Sequence, residues 1–324
     1  MSSYLSQAMS CLRPLLTDDL VEIVINQDLG VWVERRGDVH MARAEGLGMT
    51  PADLKHLVTQ IANEASIRFS EQKPVFSVSF DFEQWRIRAQ VVAAPALESG
   101  YAVALRFFSP QAEIIKPRFL HGKPISSDAQ RAERNREMKE LAQANSLDAA
   151  LRFCVEHKLN LIVSGGTSSG KTMVARHLQA MISDAERIIT IEDAPDLLPQ
   201  QPNKLMLVSL ENDAYRSSEK LLQACLRLRP DRIILSEVRN RDAYTFLKAI
   251  NTGHGGSITT LHADTARLAV SRLAQAALEA TPGMTYSEMV SYIGQSIDVI
   301  VHTAKVAGQR GIIEFFLPGQ EISE

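Results

Sequence analysis

Cysteine is scarce in this sequence, and its few positions form no pattern. Cys11, Cys154 and Cys225 are the three cysteines among 324 residues; they are far apart, odd in number and without a C-x-x-C pair. This spacing argues against a disulfide framework and against a cysteine zinc site. We therefore expect no zinc, a reducing cytoplasmic environment, and cysteines that serve as small buried apolar residues.

Long apolar runs are also missing. No stretch approaches the roughly 18 consecutive apolar residues of a membrane span, and the N-terminus has no basic segment followed by an apolar one. We therefore expect a protein that is made and kept in the cytoplasm and that associates with membranes only at their surface.

Charge of one sign is not in excess. The formal net charge is -3 and the isoelectric point is near 6.3, which argues against direct nucleic-acid binding. With 45% hydrophobic and 23% charged residues, the composition is that of a globular protein, and the length allows two domains.

Residues 159–182 are the most informative stretch, and their pattern predicts a strand, a glycine-rich turn and a helix. Residues 165–172 fit the phosphate-loop pattern G-x-x-x-x-G-K-[ST]. Glycines allow backbone N–H groups to point at a polyphosphate, Lys171 brings a positive charge to the β- and γ-phosphates, and Thr172 offers a hydroxyl to Mg²⁺. The candidate ATP-binding residues of this stretch are Gly165, Gly166, Thr167, Ser168, Ser169, Gly170, Lys171, Thr172 and Met173.

Residues 1–108 read as a small α+β domain. Alternating apolar residues predict a hairpin over 21–33, and Pro51 after Thr50 predicts a capped helix that runs to about residue 69. Three more strands are predicted at 75–80, 85–92 and 101–108. These strands predict an antiparallel sheet.

A proline-bearing linker at 109–145 is predicted to lead into a second domain, 146–324. The linker includes a charged helix, which is either solvated or a connector that packs on a neighbouring subunit. In the second domain, short apolar strands recur between helices. This alternation predicts an α/β fold with a mostly parallel sheet, whose strand ends bind ligands.

Acidic and histidine side chains follow several of these strands. Glu192 and Asp193 come after RIITI, and Glu237 comes after RIILS. Carboxylates at strand ends beside a phosphate loop suit work on water or Mg²⁺. His254 and His262 flank the segment GHGGSITTLH, and their spacing favours hydrogen bonding to phosphate or to an acid over a zinc site.

The segments GGTSSGKT, TIED, RIILSEVR and GHGGSITTLHAD, in this order, resemble the Walker A motif, Asp box, atypical Walker B motif and His box of the traffic ATPases of type II and type IV secretion. The compact N-terminal part looks most like the conjugation-type (VirB-eleven-like) branch. The resemblance implies a RecA-like C-terminal domain that binds ATP and Mg²⁺. Ser236 departs from the glycine that usually precedes the Walker B glutamate.

The resemblance also implies roles for individual residues. Glu192 would position or activate the attacking water and Glu237 would hold Mg²⁺ through water, although the two roles could be exchanged. His254 and His262 would link γ-phosphate occupancy to movement. The catalytic candidates are thus Lys171, Glu192, Glu237 and His262.

Two N-terminal arginines, Arg88 and Arg106, match arginines that reach the nucleotide in this family, and Arg227 and Arg229 are further candidates near the site.

The function that the resemblance implies is ATP hydrolysis by a homohexamer at the cytoplasmic face of the inner membrane. There the hexamer would work with inner-membrane components of a type IV secretion system. A pilus or type II secretion motor, and a nucleotide-switched assembly platform with little turnover, are the alternatives.

Overall fold

The computed structural model describes residues 3–108, 116–144 and 146–321, which pack as two compact units. Met1–Pro110 and Ser183–Ser236 form the first unit, and Gln111–Ile182 and Glu237–Glu324 form the second. The partition predicted from the sequence, into an N-terminal domain, a linker and an ATPase domain, stays a prediction. Linker residues 109–115 and 145 lie outside the described residues.

The described part of the chain forms strands in succession at first and then strands separated by helices. The strands are β1 Leu20–Ile25, β2 Val31–Arg35, β3 Ala42–Arg43, β4 Val75–Phe82, β5 Trp85–Ala93, β6 Tyr101–Phe108, β7 Leu161–Gly165, β8 Ile188–Glu192, β9 Lys204–Val208, β10 Arg232–Leu235, β11 Ile258–His262, β12 Val299–Val306 and β13 Gln309–Phe316. The α-helices are α1 Ser3–Ala8, α2 Pro51–Glu64, α3 Ser127–Gln143, α4 Leu147–Glu156, α5 Lys171–Ala180, α6 Ser218–Cys225, α7 Asp242–Ile250, α8 Ala266–Leu278, α9 Tyr286–Ser296 and α10 Pro318–Glu321.

The N-terminal sheet of the first unit is antiparallel, with strand order β3-β2-β1-β6-β5-β4. The predicted hairpin is β1 and β2, in which Val24 lies opposite Trp32. The three strands predicted after it are β4, β5 and β6. The α+β antiparallel fold predicted for this part of the chain is confirmed.

Helix α2 covers one face of this sheet and begins where the sequence predicts. The hydroxyl of Thr50 accepts a hydrogen bond from the backbone N–H of Asp53, whose carboxylate accepts the N–H of Thr50 in return. The helix ends at Glu64, earlier than the predicted residue 69. Ser66 has a φ of 55°, and this left-handed backbone ends the helical turn.

A buried polar network joins the N-terminal sheet to residues 183–236 within the first unit. The guanidinium of Arg187, which is 1% exposed, donates to the backbone carbonyl of Leu228 (2.9 Å), to Oδ1 of Asn26 (2.7 Å) and to Oδ1 of Asn203. Asn26 also donates to Asn203 (3.1 Å). Because a buried charge is costly unless it is hydrogen-bonded, these contacts hold β1 against β8 and β9.

Acidic side chains continue the same network. Arg229 forms ion pairs with Glu34 (2.6 Å) and with Asp231. Glu22 is buried beside them, and its burial raises the pKa of its carboxyl to about 7, partly offset by the charge of Arg106. Arg229, a sequence candidate for the nucleotide site, is thus engaged by carboxylates of its own unit.

The remaining strands form two groups, one in each unit, and the strands within each group run mostly parallel to one another. In the first unit β8 lies between β10 and β9, with all three parallel. In the second unit β7 lies between β12 and β11, again parallel, and β13 pairs antiparallel with β12. The mostly parallel α/β fold predicted for the C-terminal part is confirmed. Among the described residues, no helix combines the length and the apolar character that crossing a bilayer requires.

The charged helix α3 packs on its own chain in the second unit. Met138 is fully buried, with its sulfur 3.6 Å from that of Cys154 in α4. Arg131 and Arg134 both pair with Asp298, at 2.8 and 3.2 Å. Asp298 is 3% exposed and also accepts the backbone N–H of Asn160 ahead of β7 (2.8 Å). The helix is therefore not solvated all round.

Candidate functional site

The predicted phosphate loop connects β7 to α5 in the second unit. All of β7 is buried, and α5 begins at Lys171 after Gly170, which has a φ of 103°. This left-handed conformation suits glycine and directs the first N–H groups of α5 toward the space in front of the loop. Thr167, Ser168, Thr172 and Met173 are exposed on that side, whereas Ser169 is buried.

Lys171 folds back over the loop. Its Nζ donates to the carbonyls of Gly165 (3.2 Å) and Gly166 (3.0 Å) and to Nδ1 of His262 (3.3 Å). The residue is 9% exposed. Burial lowers the pKa of Lys171, while the nearby charge of Glu237 raises it.

His262 connects Lys171 to Glu237. Its Nε2 lies 3.3 Å from Oε1 of Glu237, whose other oxygen pairs with Arg239. An ammonium group can only donate, so Nδ1 of His262 accepts and the ring proton lies on Nε2, facing the carboxylate. The structure therefore brings together three of the four catalytic candidates. Arg272, which the sequence did not single out, donates to the carbonyl of His262 (3.0 Å).

His254 lies at the other end of the same strand. β11 runs parallel to β7, with Ile258 opposite Leu161 and His262 opposite Gly165. His254 precedes β11, and Gly256 close by donates to the side chain of Asn160, ahead of β7. The two ends of the strand are on the order of 13 Å apart. The role of His254 at the phosphate stays a prediction, and the geometry of this unit does not favour it.

Glu192 ends β8 in the first unit. Its Oε2 accepts the backbone N–H groups of Asp196 and Leu197, both at 2.8 Å. Its Oε1 is buried and accepts no hydrogen bond from the residues that the structure describes. Burial raises the pKa of Glu192, and the two backbone donors oppose that rise. The carboxylate is thus held firmly by one oxygen, which suits a general base.

Arg88 and Arg106 lie directly opposite each other on β5 and β6. Both are exposed, and both guanidinium groups lie over the ring of Phe108, 5.0 and 5.7 Å from its centre. Like charges opposite each other in a sheet repel, so this pair forms a surface that favours an anion.

Comparison with known proteins decides the family. The sequence profile described as "Type II/IV secretion system protein" matches residues 126–308. The chain belongs to this family. It is 32% identical to type IV secretion system protein VirB11 of Brucella suis biovar 1, over 90% of this chain and 83% of that protein. It is 31% identical to the conjugal transfer protein TrbB of Rhizobium radiobacter, over 91% and 82%.

A solved structure extends the likeness to the fold. The crystal structure of the VirB11 ATPase from the Brucella suis type IV secretion system, in complex with sulphate, superposes with a TM-score of 0.83 at 28% identity and covers 97% of this chain and 98% of that one. The resemblance predicted from the sequence, to secretion ATPases of the VirB11-like branch, is confirmed, and the chain is a P-loop ATPase of the type IV secretion group. The roles of its individual residues stay predictions.

Proposed function

We propose that this chain hydrolyses magnesium ATP at the loop of residues 165–172 and uses the reaction to power assembly of, or substrate transfer through, a type IV secretion system. The observation that carries the proposal is the chain of contacts from Lys171 through His262 to Glu237. It joins the lysine that would bind phosphate to a carboxylate through one imidazole ring that contacts both.

The residues present fit ATP with Mg²⁺. Gly170 and the start of α5 present backbone donors to a phosphate chain, and the exposed hydroxyl of Thr172 is a ligand of the type that Mg²⁺ accepts. Glu237 would hold the ion through water. Mg²⁺ would neutralise charge that develops on the β- and γ-phosphates.

Lys171 has the clearest role in hydrolysis. Its ammonium group exchanges the carbonyls of Gly165 and Gly166 for phosphate oxygens and stabilises the charge that spreads in the transition state. Glu192 accepts a proton from the attacking water. His262 would sense the γ-phosphate, because Lys171 moving toward that phosphate removes the partner of Nδ1.

Arg88 and Arg106 would contact the nucleotide phosphates from the N-terminal sheet, on the same or on a neighbouring subunit. Their exposure and their mutual repulsion support this role, since an anion between them relieves the repulsion. Nucleotide release would then free the sheet to move, which is the mechanical output that a motor requires.

We propose further that the chain works as a homohexameric ring at the cytoplasmic face of the inner membrane, with inner-membrane components of the secretion system as partners. The chain is similar to a type IV secretion system protein and to a conjugal transfer protein, which supports a role beside other components of such a system. Repeated head-to-tail contacts between identical subunits generate a closed ring when the rotation between neighbours divides a full turn.

Phosphate release by the purified full-length chain with ATP and Mg²⁺ tests the proposal. Lys171→Ala should lower turnover by about 100-fold, because the transition-state charge loses its cation. Lys55→Ala, at an exposed lysine of α2, is the matched control and should leave turnover unchanged. Equal turnover by the wild type and Lys171→Ala would show that the loop is not the catalytic site.

Light scattering with nucleotide and Mg²⁺ tests the ring. A species of six subunits is expected, and a monomer under every nucleotide condition would exclude it. Slow turnover combined with partner binding that ATP alone switches on would favour the assembly platform over the motor.

A further inference from the structure

The hydroxyl of Thr303, on β12, bridges Ser164 at the start of the phosphate loop and Ser169 within it. Its Oγ1 donates to the backbone carbonyl of Ser164 (3.0 Å), the residue just before the loop. The same oxygen is 2.8 Å from Oγ of Ser169, near the other end of the loop. A hydroxyl has one proton, so Thr303 gives its own to Ser164 and accepts the proton of Ser169.

The strand register brings Thr303 to this position. β12 runs parallel to β7, with Thr303 opposite Gly165. A Cβ at position 165 would collide with Oγ1 and the backbone carbonyl of Thr303 and with Oγ of Ser169. The glycine at this first loop position is thus required by the closeness of Thr303 as well as by the nucleotide.

Solvent does not compete for these contacts. Ser164, Ser169 and Thr303 are 0%, 3% and 1% exposed. When one buried partner of a hydrogen bond is removed, the group left behind loses its bond without gaining water, which costs more than an exposed bond. The hydroxyl of Thr303 has two such partners, one at the residue that leads into the loop and one within the loop.

We propose that Thr303 is a positioning residue that keeps the phosphate loop in its nucleotide-binding form. One hydroxyl fixes the spacing between the start and the end of the loop, so the backbone donors between them are ordered before ATP arrives. A loop that is ordered in advance loses less conformational entropy when the nucleotide binds. This inference rests on the proposed function, because it assigns Thr303 to the same nucleotide site.

Variants of Thr303 in the full-length chain test the inference. Thr303→Val keeps the shape of the side chain and removes the hydroxyl. We expect it to raise the KM for ATP and the Kd for a non-hydrolysable ATP analogue by about tenfold. The kcat should change less than about twofold. Thr303→Ser retains the hydroxyl and should restore KM and Kd toward wild-type values. Thr259→Val is the matched control, since Thr259 is an equally buried threonine on β11 whose hydroxyl bonds the carbonyl of Thr260.

A purely structural role gives a different result. Thr303→Val and Thr259→Val would then lower Tm alike and leave KM and Kd unchanged, and this result would overturn the inference. An equal rise in KM for the two variants would also overturn it. If Thr303→Val does not fold, Ser169→Ala carries the test, because it removes the second hydrogen bond from the loop side. A wild-type KM for Ser169→Ala would then overturn the inference.

The wild-type chain separates the two proposals. If it neither binds the analogue nor releases phosphate, the proposed function fails and the role of Thr303 fails with it. If it does both and Thr303→Val matches it in KM and Kd, only the role of Thr303 fails.

Discussion

Nζ of Lys171 lies 3.3 Å from Nδ1 of His262, and the opposite nitrogen of the same ring lies 3.3 Å from a carboxylate oxygen of Glu237. The imidazole therefore stands between a cation and an anion with its single proton directed to the anion. A doubly protonated ring would repel Lys171. The positions of Lys171 and of the His262 ring are consequently coupled through this contact, and a phosphate that attracts Lys171 removes the partner of Nδ1.

Replacement of His262 should impair hydrolysis more than it impairs binding. We expect His262→Ala to lower kcat by about 10- to 100-fold, because Glu237 and Lys171 both lose the partner that orients them. His254→Ala, at the opposite end of β11, should have a smaller effect. Steady-state phosphate release measures both variants, and equal losses would refute the distinction between the two strand ends.

Glu192→Gln should separate ATP binding from hydrolysis. We expect kcat to fall by about 100-fold with the Kd for ATP little changed, because the amide cannot take a proton from water. Burial raises the pKa of Glu192, so wild-type kcat should fall, as the pH is lowered, at a higher pH than for an exposed glutamate. A pH profile of kcat measures this, and Glu211→Gln, at an exposed glutamate of the same unit, is the control.

The stability of the first unit should depend on Glu22. Its pKa is about 7 in the folded chain, above the ordinary value of a glutamate, so the folded state binds the extra proton between about pH 4.5 and pH 7. The unfolding free energy therefore decreases as pH rises through this window. Glu22→Gln should remove the decrease and be roughly 3 kcal/mol more stable than wild type at pH 8.

Urea unfolding at pH 5, 6, 7 and 8 measures that effect. Glu83→Gln, at an exposed glutamate, should follow the wild-type curve. Parallel curves for the wild type and Glu22→Gln across this range would contradict the prediction.

Arg187→Ala should destabilise the chain severely. Removal of the guanidinium leaves the carbonyl of Leu228 and the side chains of Asn26 and Asn203 without their buried donor, at a cost of about 3–5 kcal/mol. Arg43→Ala, which removes an exposed ion pair with Glu45, should cost less than about 1 kcal/mol. Urea unfolding compares the two, and a similar small loss for both would count against the network.

The paired arginines of the N-terminal sheet should contribute to ATP affinity. The double variant Arg88→Ala/Arg106→Ala should raise the KM for ATP by about tenfold, and this effect should be smaller at high salt. Arg68→Ala, an exposed arginine after α2, serves as the control. An unchanged KM in the double variant would remove these residues from the site.

Local sequence patterns predict the structure correctly wherever a few neighbouring residues decide it. Thr50 and Pro51 start α2 because a cap and a fixed φ act within one turn, and the loop before Lys171 follows from its glycines. The predicted end of α2, residue 69, is wrong because the left-handed backbone of Ser66 has no strong signature in the sequence.

The sequence by itself determined the order of strands and helices, the phosphate loop, the acids and histidines that follow the strands, and through these the family. Tertiary structure decided which of them meet. Lys171 contacts His262, 91 residues away, and Thr303 reaches Ser164, 139 residues away. Such contacts depend on the register in which β11 and β12 lie beside β7. The burial of whole sheet faces sets that register, and no local spacing encodes it.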